Sequence, residues 1–425
     1  MLRPLQGLAY GALGLPLAFV ALPLYVLLPA HYGATLGVPL AALGALLLGA
    51  RLFDAVVDPW IGRWIDRCHA RGRHVVLRVA AAACAVLAAG FVALFFPPVQ
   101  GTAALLAWCG AMLALTYLAY SALSVVHQSW GARLGGDEAQ RAGVVSWREG
   151  CALAGVMVAS VLPALAGFGA TAAVLAVALV LGVTALARWA PAADRPVAHG
   201  SAASPWLPLQ TPAFRRLLAI HVVNGVASAI PATLVLFFVR DRLQAASLEP
   251  LFLAAYFAAG ALSMPLWVRV IARLGLARSW LAGMLLSVAS FVWAASLGPG
   301  DAAAFAAVCI ASGLALGADL AVPQAWLAGI VQRAGHQGQH EGSYFGWWNF
   351  ATKLELALAA GLALPLLERA GYTPGRADPE GLQALALAYA ALPCVLKLLA
   401  AVLLAASALP RAHPALPEQT AESPT

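Results

Sequence analysis

The sequence predicts an all-α polytopic membrane protein, with twelve transmembrane helices in two six-helix halves. Three observations carry that expectation. Hydrophobic residues make up 62% of the 425 and charged residues only 10%, whereas a soluble domain carries about 25% charged residues. Apolar runs of about 20 residues, enough to cross a bilayer as a helix, recur along the whole chain. The basic residues gather in alternate connections, as they do in chains that cross a membrane repeatedly.

The first expected span, 6–30, follows Arg3 and should bend at Pro16 and Pro23. It has no clear small-residue cleavage site and more spans follow, so it reads as a retained helix rather than a signal peptide. The second span, 38–64, opens on an uncharged stretch from Leu36 to Ala50. The third and fourth spans are 75–96 and 102–128. The fifth, 143–167, should bend at Pro163, and the sixth is 170–189. The remaining six are 213–239, 250–270, 279–297, 303–330, 343–367 and 382–408. Glycine and proline inside them are tolerated in membrane helices.

One set of connections carries Arg3, Arg63, Arg67, Arg71, Arg73, Arg78, Arg133, Arg141, Arg188, Arg195, Arg215, Arg216, Arg269, Arg273, Arg278, Arg333 and Arg411. The opposite set carries only Arg240, Arg242, Arg369 and Arg376. The positive-inside rule then places both termini in the cytoplasm. The expected domains are an N-terminal bundle over 1–190, a cytoplasmic linker over 191–212, a C-terminal bundle over 213–409 and a disordered tail over 410–425. The linker and tail are Pro-rich and polar. A shift of 206 residues places Pro59, Arg63, Ile65 and Arg67 on Pro265, Arg269, Ile271 and Arg273. The second half keeps this frame without the acids of the first, so charge coupling is expected in the first half.

Arg51, Asp54 and Asp58 interrupt the second span. At 3.6 residues per turn they lie within roughly 60° of one another on one helix face. Charges in a membrane helix are costly, face a cavity or partner, and mark ion or substrate paths. Two acids exceed what Arg51 alone neutralises. Lys353 lies about ten residues into the eleventh span, too deep to reach the interface easily, and is expected to pair with Asp54 or Asp58. Glu355 does not share its face; it is open to a functional role or, alternatively, to pairing with Arg148 or another basic group. Asp319, close to Pro323, is a solute or ion candidate, and Tyr120, Ser121, Trp347 and Asn349 complete the solute candidates. Arg148 and Glu149 are expected as gate residues. His221 and Asn224 share a face and are expected to make helix–helix hydrogen bonds.

Other classes have less support, and a membrane-embedded prenyltransferase-like enzyme is the remote alternative. The net charge of +7 is dispersed among loops, so no nucleic-acid partner is expected. The six cysteines have no paired spacing, which gives neither a disulfide framework nor a metal site. There is no H-E-x-x-H, G-x-S-x-G or P-loop. An intramembrane prenyltransferase-like enzyme would need a second acidic motif, and Asp301, Asp319 and Asp378 are isolated in sequence. No enzyme activity and no cofactor are expected.

The stretch Arg51 to Gly62 matches R-x-x-D-A-x-x-D-P-x-x-G, and Gly338-Gln-His-Glu-Gly-Ser-Tyr-Phe345 followed by Lys353 matches G-x-x-E-G-x-Y-F…K. With Gly317-Ala-Asp319 and the basic loop Asp66 to Arg73, the chain resembles the glycoside–pentoside–hexuronide:cation symporters of the major facilitator superfamily. The resemblance runs from about residue 7 to 400. It implies Asp54 and Asp58 as cation ligands, for a proton or sodium, and Arg51 and Lys353 as charge partners. It also implies Asp66, Arg67, Arg71 and Arg73 as a gate, with Arg148 matching a family arginine. It implies cation-coupled uptake of a sugar or glycoside by alternating access. Pro16 and Ser121 stand where the family has sugar-binding acids, which keeps open a non-sugar, amphipathic or lipid-like solute and favours a proton over sodium. Membrane lipid, solute and cation are the expected partners of a monomer. The alanine-, leucine- and arginine-rich composition, with Lys353 and Lys397 as the only lysines, points to a bacterial inner membrane.

Overall fold

The computed structural model describes residues 2–193, 204–373, 375 and 378–408. Most of the expected linker's centre, 194–203, and the expected tail, 410–425, lie outside the described residues, as do Arg195, Arg376 and Arg411. Among the described residues the regular structure is entirely helical. The helices are α1 Pro4–Thr35, α2 Leu40–Ala70, α3 Arg73–Phe95 and α4 Thr102–Arg133. A continuous stretch Glu138–Arg188 follows, then α7 Pro212–Arg242 and the stretch Ala246–Ser296. The last three are α10 Ala302–Arg333, α11 Glu341–Arg369 and α12 Pro379–Ser407.

Two backbone reversals divide the long stretches. Gly167 at φ +74° and Gly275 at φ +75° occupy the left-handed region, which glycine enters without steric cost. They separate α5 (138–166) from α6 (168–188), and α8 (249–274) from α9 (276–296). Nine stretches among the described residues are long and apolar enough to cross a membrane. The charged α2 falls outside that set. Counting it, and dividing the stretches at their glycines, accommodates the expected twelve.

Proline shapes α1 as expected. Its helical bonding breaks at Ala12 and Leu13, at the carbonyl that Pro16, lacking an N–H, cannot bond. After Pro23 the turn widens, and the Leu28 N–H reaches back to the Pro23 carbonyl. The charged α2 remains a membrane helix because its faces differ. Leu48, Leu52, Val56, Trp60 and Trp64 are exposed at four-residue spacing, an apolar stripe for lipid. Asp54 and Asp58 are buried at 1% and 0% on the other side.

The two halves meet at one end. One apolar core lies wholly in the first half, around Phe19, Leu87, Phe91 and Leu123. Another lies in the second half, around Phe238, Phe252, Phe305 and Tyr389. A third crosses between them, setting Ala132, Ala142 and Val145 against residues that include Phe214, Trp267 and Tyr344. That shared core lies toward the arginine-rich ends of the helices. There α2 and α11 touch backbone to backbone: a Cβ at Gly62 would strike the Gly342 carbonyl, and one at Gly346 would meet the Asp58 carbonyl at 2.5 Å. Gly62 and Gly342 belong to the two sequence motifs and Gly346 directly follows the second, and their small size brings Lys353 within reach of α2.

Candidate ion and solute site

The aspartates of α2, one turn apart, are joined by a lysine from the opposite half. Lys353 Nζ lies 2.7 Å from Asp54 Oδ1 and 2.8 Å from Asp58 Oδ2. It also donates to Ser121 Oγ of α4 at 2.8 Å, and Ser121 in turn donates to Asp54 Oδ1 at 2.9 Å. Asp54 Oδ2 and Asp58 Oδ1 are buried without a hydrogen bond. One ammonium thus serves two carboxylates, and two oxygens keep unused lone pairs in a region where unpaired polar atoms are costly. Arg51, expected as a charge partner, instead lies over the Tyr25 ring with its guanidinium carbon 3.8 Å from the centroid, a cation–π contact. Tyr117 borders Tyr25, and Tyr120 stands beside Asp54.

A second charged group was missed by sequence reasoning. Lys397 of α12 lies 2.7 Å from Asp319 Oδ2 and donates to Asn224 Oδ1 and Ser228 Oγ of α7, both at 3.0 Å. Asp319 Oδ1 accepts from Asn224 Nδ2 at 3.1 Å and from Trp280 Nε1 at 3.0 Å. Asp319 is isolated in sequence but not in space, and charge pairing is not confined to the first half. The available signal was a lone lysine deep in an apolar span, which needs a buried partner. Glu355 pairs with His221 at 3.2 Å rather than with Arg148. The helix–helix bonds expected of His221 and Asn224 are both present.

At the arginine-rich end the halves are latched by hydrogen bonds. Asp66 accepts from the Gly342 and Ser343 backbone N–H groups at 2.7 and 2.8 Å and from the Ser343 hydroxyl at 2.6 Å. Those N–H groups open α11 and lack partners within their own helix, so Asp66 caps a helix of the other half. Glu138 does the same for α9, accepting from Leu276 N at 2.9 Å. Arg133 pairs with Glu341 at 3.1 Å and donates to the Gly338 carbonyl at 2.9 Å. Arg141 donates to the Ala325 carbonyl and to Gln332. Arg148 pairs with Glu149 at 2.6 Å, and both bond Gln324 of α10.

Not every expected gate or solute residue joins these groups. Arg67 and Arg71 are exposed, consistent with simple anchoring at a membrane face. Arg73 donates to the Ala187 carbonyl at 2.7 Å, within the first half. Trp347 donates to the Pro205 carbonyl at 2.9 Å and packs on Trp206, so it meets the end of the linker instead of the aspartates. Asn349 is half-buried on α11. In the connection before α11, His340 is held below its ordinary pKa by burial and then by His336 and Arg133.

Residues 7–411 match the family model described as MFS/sugar transport protein. No curated protein sequence matches the chain. Among solved structures, a bacterial homologue of the iron transporter ferroportin, in an outward-facing state, is similar with a TM-score of 0.71 at 16% identity. That likeness covers 95% of this chain and 98% of the homologue. The human organic anion transporter MFSD10 gives 0.66 at 18% identity, over 95% of this chain and 100% of that one. The major facilitator transporter FucP, in the outward conformation, gives 0.67 at 12% identity, over 94% and 99%. At these identities the likenesses establish the fold, and the family match over nearly the whole sequence establishes the rest: the chain belongs to the MFS/sugar transport proteins of the major facilitator superfamily, as a secondary transporter embedded in a membrane.

Proposed function

We propose that the protein is a cation-coupled symporter of a small organic solute, a sugar or glycoside, working by alternating access. The observation that carries this reading is the bridge of Lys353 to Asp54 and Asp58 across the two halves, with two carboxylate oxygens left open. With Lys353 as an ammonium and both aspartates ionised, the trio carries one excess negative charge. A cation arriving at the open oxygens removes that excess and weakens the hold on Lys353. The seam between α2 and α11 then loosens, and the halves can rock about it. Ion and solute favour the same rearrangement, so each raises the affinity for the other.

The coupling cation in this reading is a proton or sodium, with the proton preferred. Sodium would draw on only two carboxylates and the Ser121 hydroxyl, and hard cations take several oxygen ligands. The arginine-rich end faces the cytoplasm, as do both termini, in a bacterial inner membrane. The latches at Asp66, Arg133, Arg141 and Arg148 then close the cytoplasmic side. Tyr120, Ser121 and Asn349 serve the solute near the midplane, and Asp319 serves it only if Lys397 lets go. Buried Pro16 in place of a family acid supports a second reading, an amphipathic solute on the same scaffold.

Thermal unfolding of the purified protein tests both readings, because a ligand of the native state raises the melting temperature. Glycosides, organic acids, amino acids and lysolipids would be compared with and without sodium at low and high pH. Stabilisation by a glycoside supports the sugar reading. Stabilisation only by lysolipids replaces it with the amphipathic one.

A further inference from the structure

Glu355 sits at the midpoint of the 29-residue α11, 5% exposed, and faces α7 of its own half. Lys353, two residues away, points to the other half and is occupied by Asp54 and Asp58. Gly225 of α7 makes the room: a Cβ there would collide with the Glu355 carboxylate. The charged groups around Glu355 can be assigned one by one. Asp319 of α10 is near enough for its charge to act on Glu355, and Lys397 of α12 is committed to Asp319, Asn224 and Ser228. Among the described residues, the one basic group within ion-pair distance of Glu355 is His221, at 3.2 Å.

The pairing is incomplete. Although His221 Nε2 is close, Glu355 Oε1 is buried without a hydrogen bond. Thr352 Oγ1 lies 3.2 Å from the same nitrogen and donates its own proton to the Trp348 carbonyl at 3.1 Å. The imidazole is also fixed in place, stacked on Trp348 at 3.7 Å and 12°. An ionised carboxylate facing a neutral imidazole would leave a net charge of −1 at mid-membrane with no fixed cation. Such a charge is expensive in that setting.

We infer that Glu355 and His221 form a second proton-binding site, inside the C-terminal half and separate from Asp54 and Asp58. One proton from water binds Glu355 Oε1; with the imidazole proton on Nδ1, the new O–H donates to His221 Nε2 in place of the Thr352 contact, taking the pair from −1 to zero and supplying the missing hydrogen bond. No bond other than that to the proton is made or broken. Lys353 and Glu355 lie two residues apart on α11, so a tilt of α11 within its own half as Lys353 is released would also change the separation of Glu355 from α7 and tie proton loading there to the state of the seam.

The site can be read without any solute, so its failure is separate from failure of the symport reading. Infrared difference spectra of the purified protein would be recorded across a pH titration. A protonated-carboxyl carbonyl band is expected that titrates, disappears in Glu355→Gln, shifts in pH in His221→Gln and persists in Asp54→Asn/Asp58→Asn. Glu355→Asp, which keeps the carboxyl, is expected to move the band and not remove it, and serves if Glu355→Gln does not fold. A band unchanged by both Glu355 substitutions, or no titrating band at all, overturns the site. Potentiometric titration should also show Glu355→Gln binding about one proton fewer over the same range.

Discussion

The molecule holds two buried lysine–aspartate sites that differ in what they leave unsatisfied. Lys353 crosses from α11 to α2 and joins the halves, and its two carboxylates keep buried oxygens without hydrogen bonds. Lys397 stays inside the second half, where it has three acceptors, and Asp319 uses both oxygens. A saturated network holds one arrangement. An under-filled one spanning a movable seam accepts a further cation and gives way. The difference separates a site built for exchange from one built for rigidity, although the residue types are the same.

The largest effect is expected at the first site. Asp58→Asn should abolish gradient-driven accumulation in proteoliposomes while the protein still folds, since one carboxylate remains for Lys353. At the second site the expected damage is to stability. Lys397→Met leaves Asp319 as an uncompensated charge, and breaking a buried pair from one side costs about 3–5 kcal/mol. Adding Asp319→Leu should recover much of the lost melting temperature, because removing both charges is far cheaper than removing one. If Lys397→Met leaves the melting temperature unchanged but stops transport, the two sites do not divide as described.

A smaller effect is expected at the seam. Gly62→Ala places a Cβ against the Gly342 carbonyl and should slow transport by separating α2 from α11, with less effect on folding within each half. Disulfide trapping of paired cysteines across α2 and α11 reads that separation directly. The mildest effect is expected at the latch. His340 has a lowered pKa in this closed arrangement, so the closed state favours its neutral form. The contribution of neutral His340 to closure is present at pH values above its ordinary pKa. It is lost as pH falls, when protonation adds a positive charge beside Arg133. Acidification should thus lower the protection of amides in the 334–341 connection, measured relative to their intrinsic exchange rates, and His340→Gln should remove that loss of protection.

The sequence made the first site legible because helical spacing alone put Asp54 and Asp58 on one face, and because Lys353 lay too deep to reach water. The span limits were legible from apolar length, and Pro16 and Pro23 mark the irregular turns of α1, whereas Pro59, Pro163, Pro231, Pro265, Pro323 and Pro365 lie inside continuous helices. What it hid was pairing between distant helices. Asp319 and Lys397 are 78 residues apart, and nothing local to either identifies its partner. Arg51 sits on the acidic face of α2, yet an aromatic ring of α1 claims it, which periodicity within one helix does not reveal. Asp66 and the arginines after it form one motif in sequence. In space the acid reaches across to α11, while Arg67 and Arg71 remain exposed.

A cation at Asp54 and Asp58 is expected to drive accumulation by loosening the Lys353 bridge. This coupling is tested most directly by solute uptake into proteoliposomes under an imposed proton gradient, an imposed sodium gradient or neither, using the solute that most stabilises the purified protein. Wild type should concentrate the solute under one of the two gradients. Asp58→Asn should still exchange solute across the membrane but not concentrate it. Undiminished accumulation by Asp58→Asn, or accumulation by wild type with neither gradient, would contradict the account.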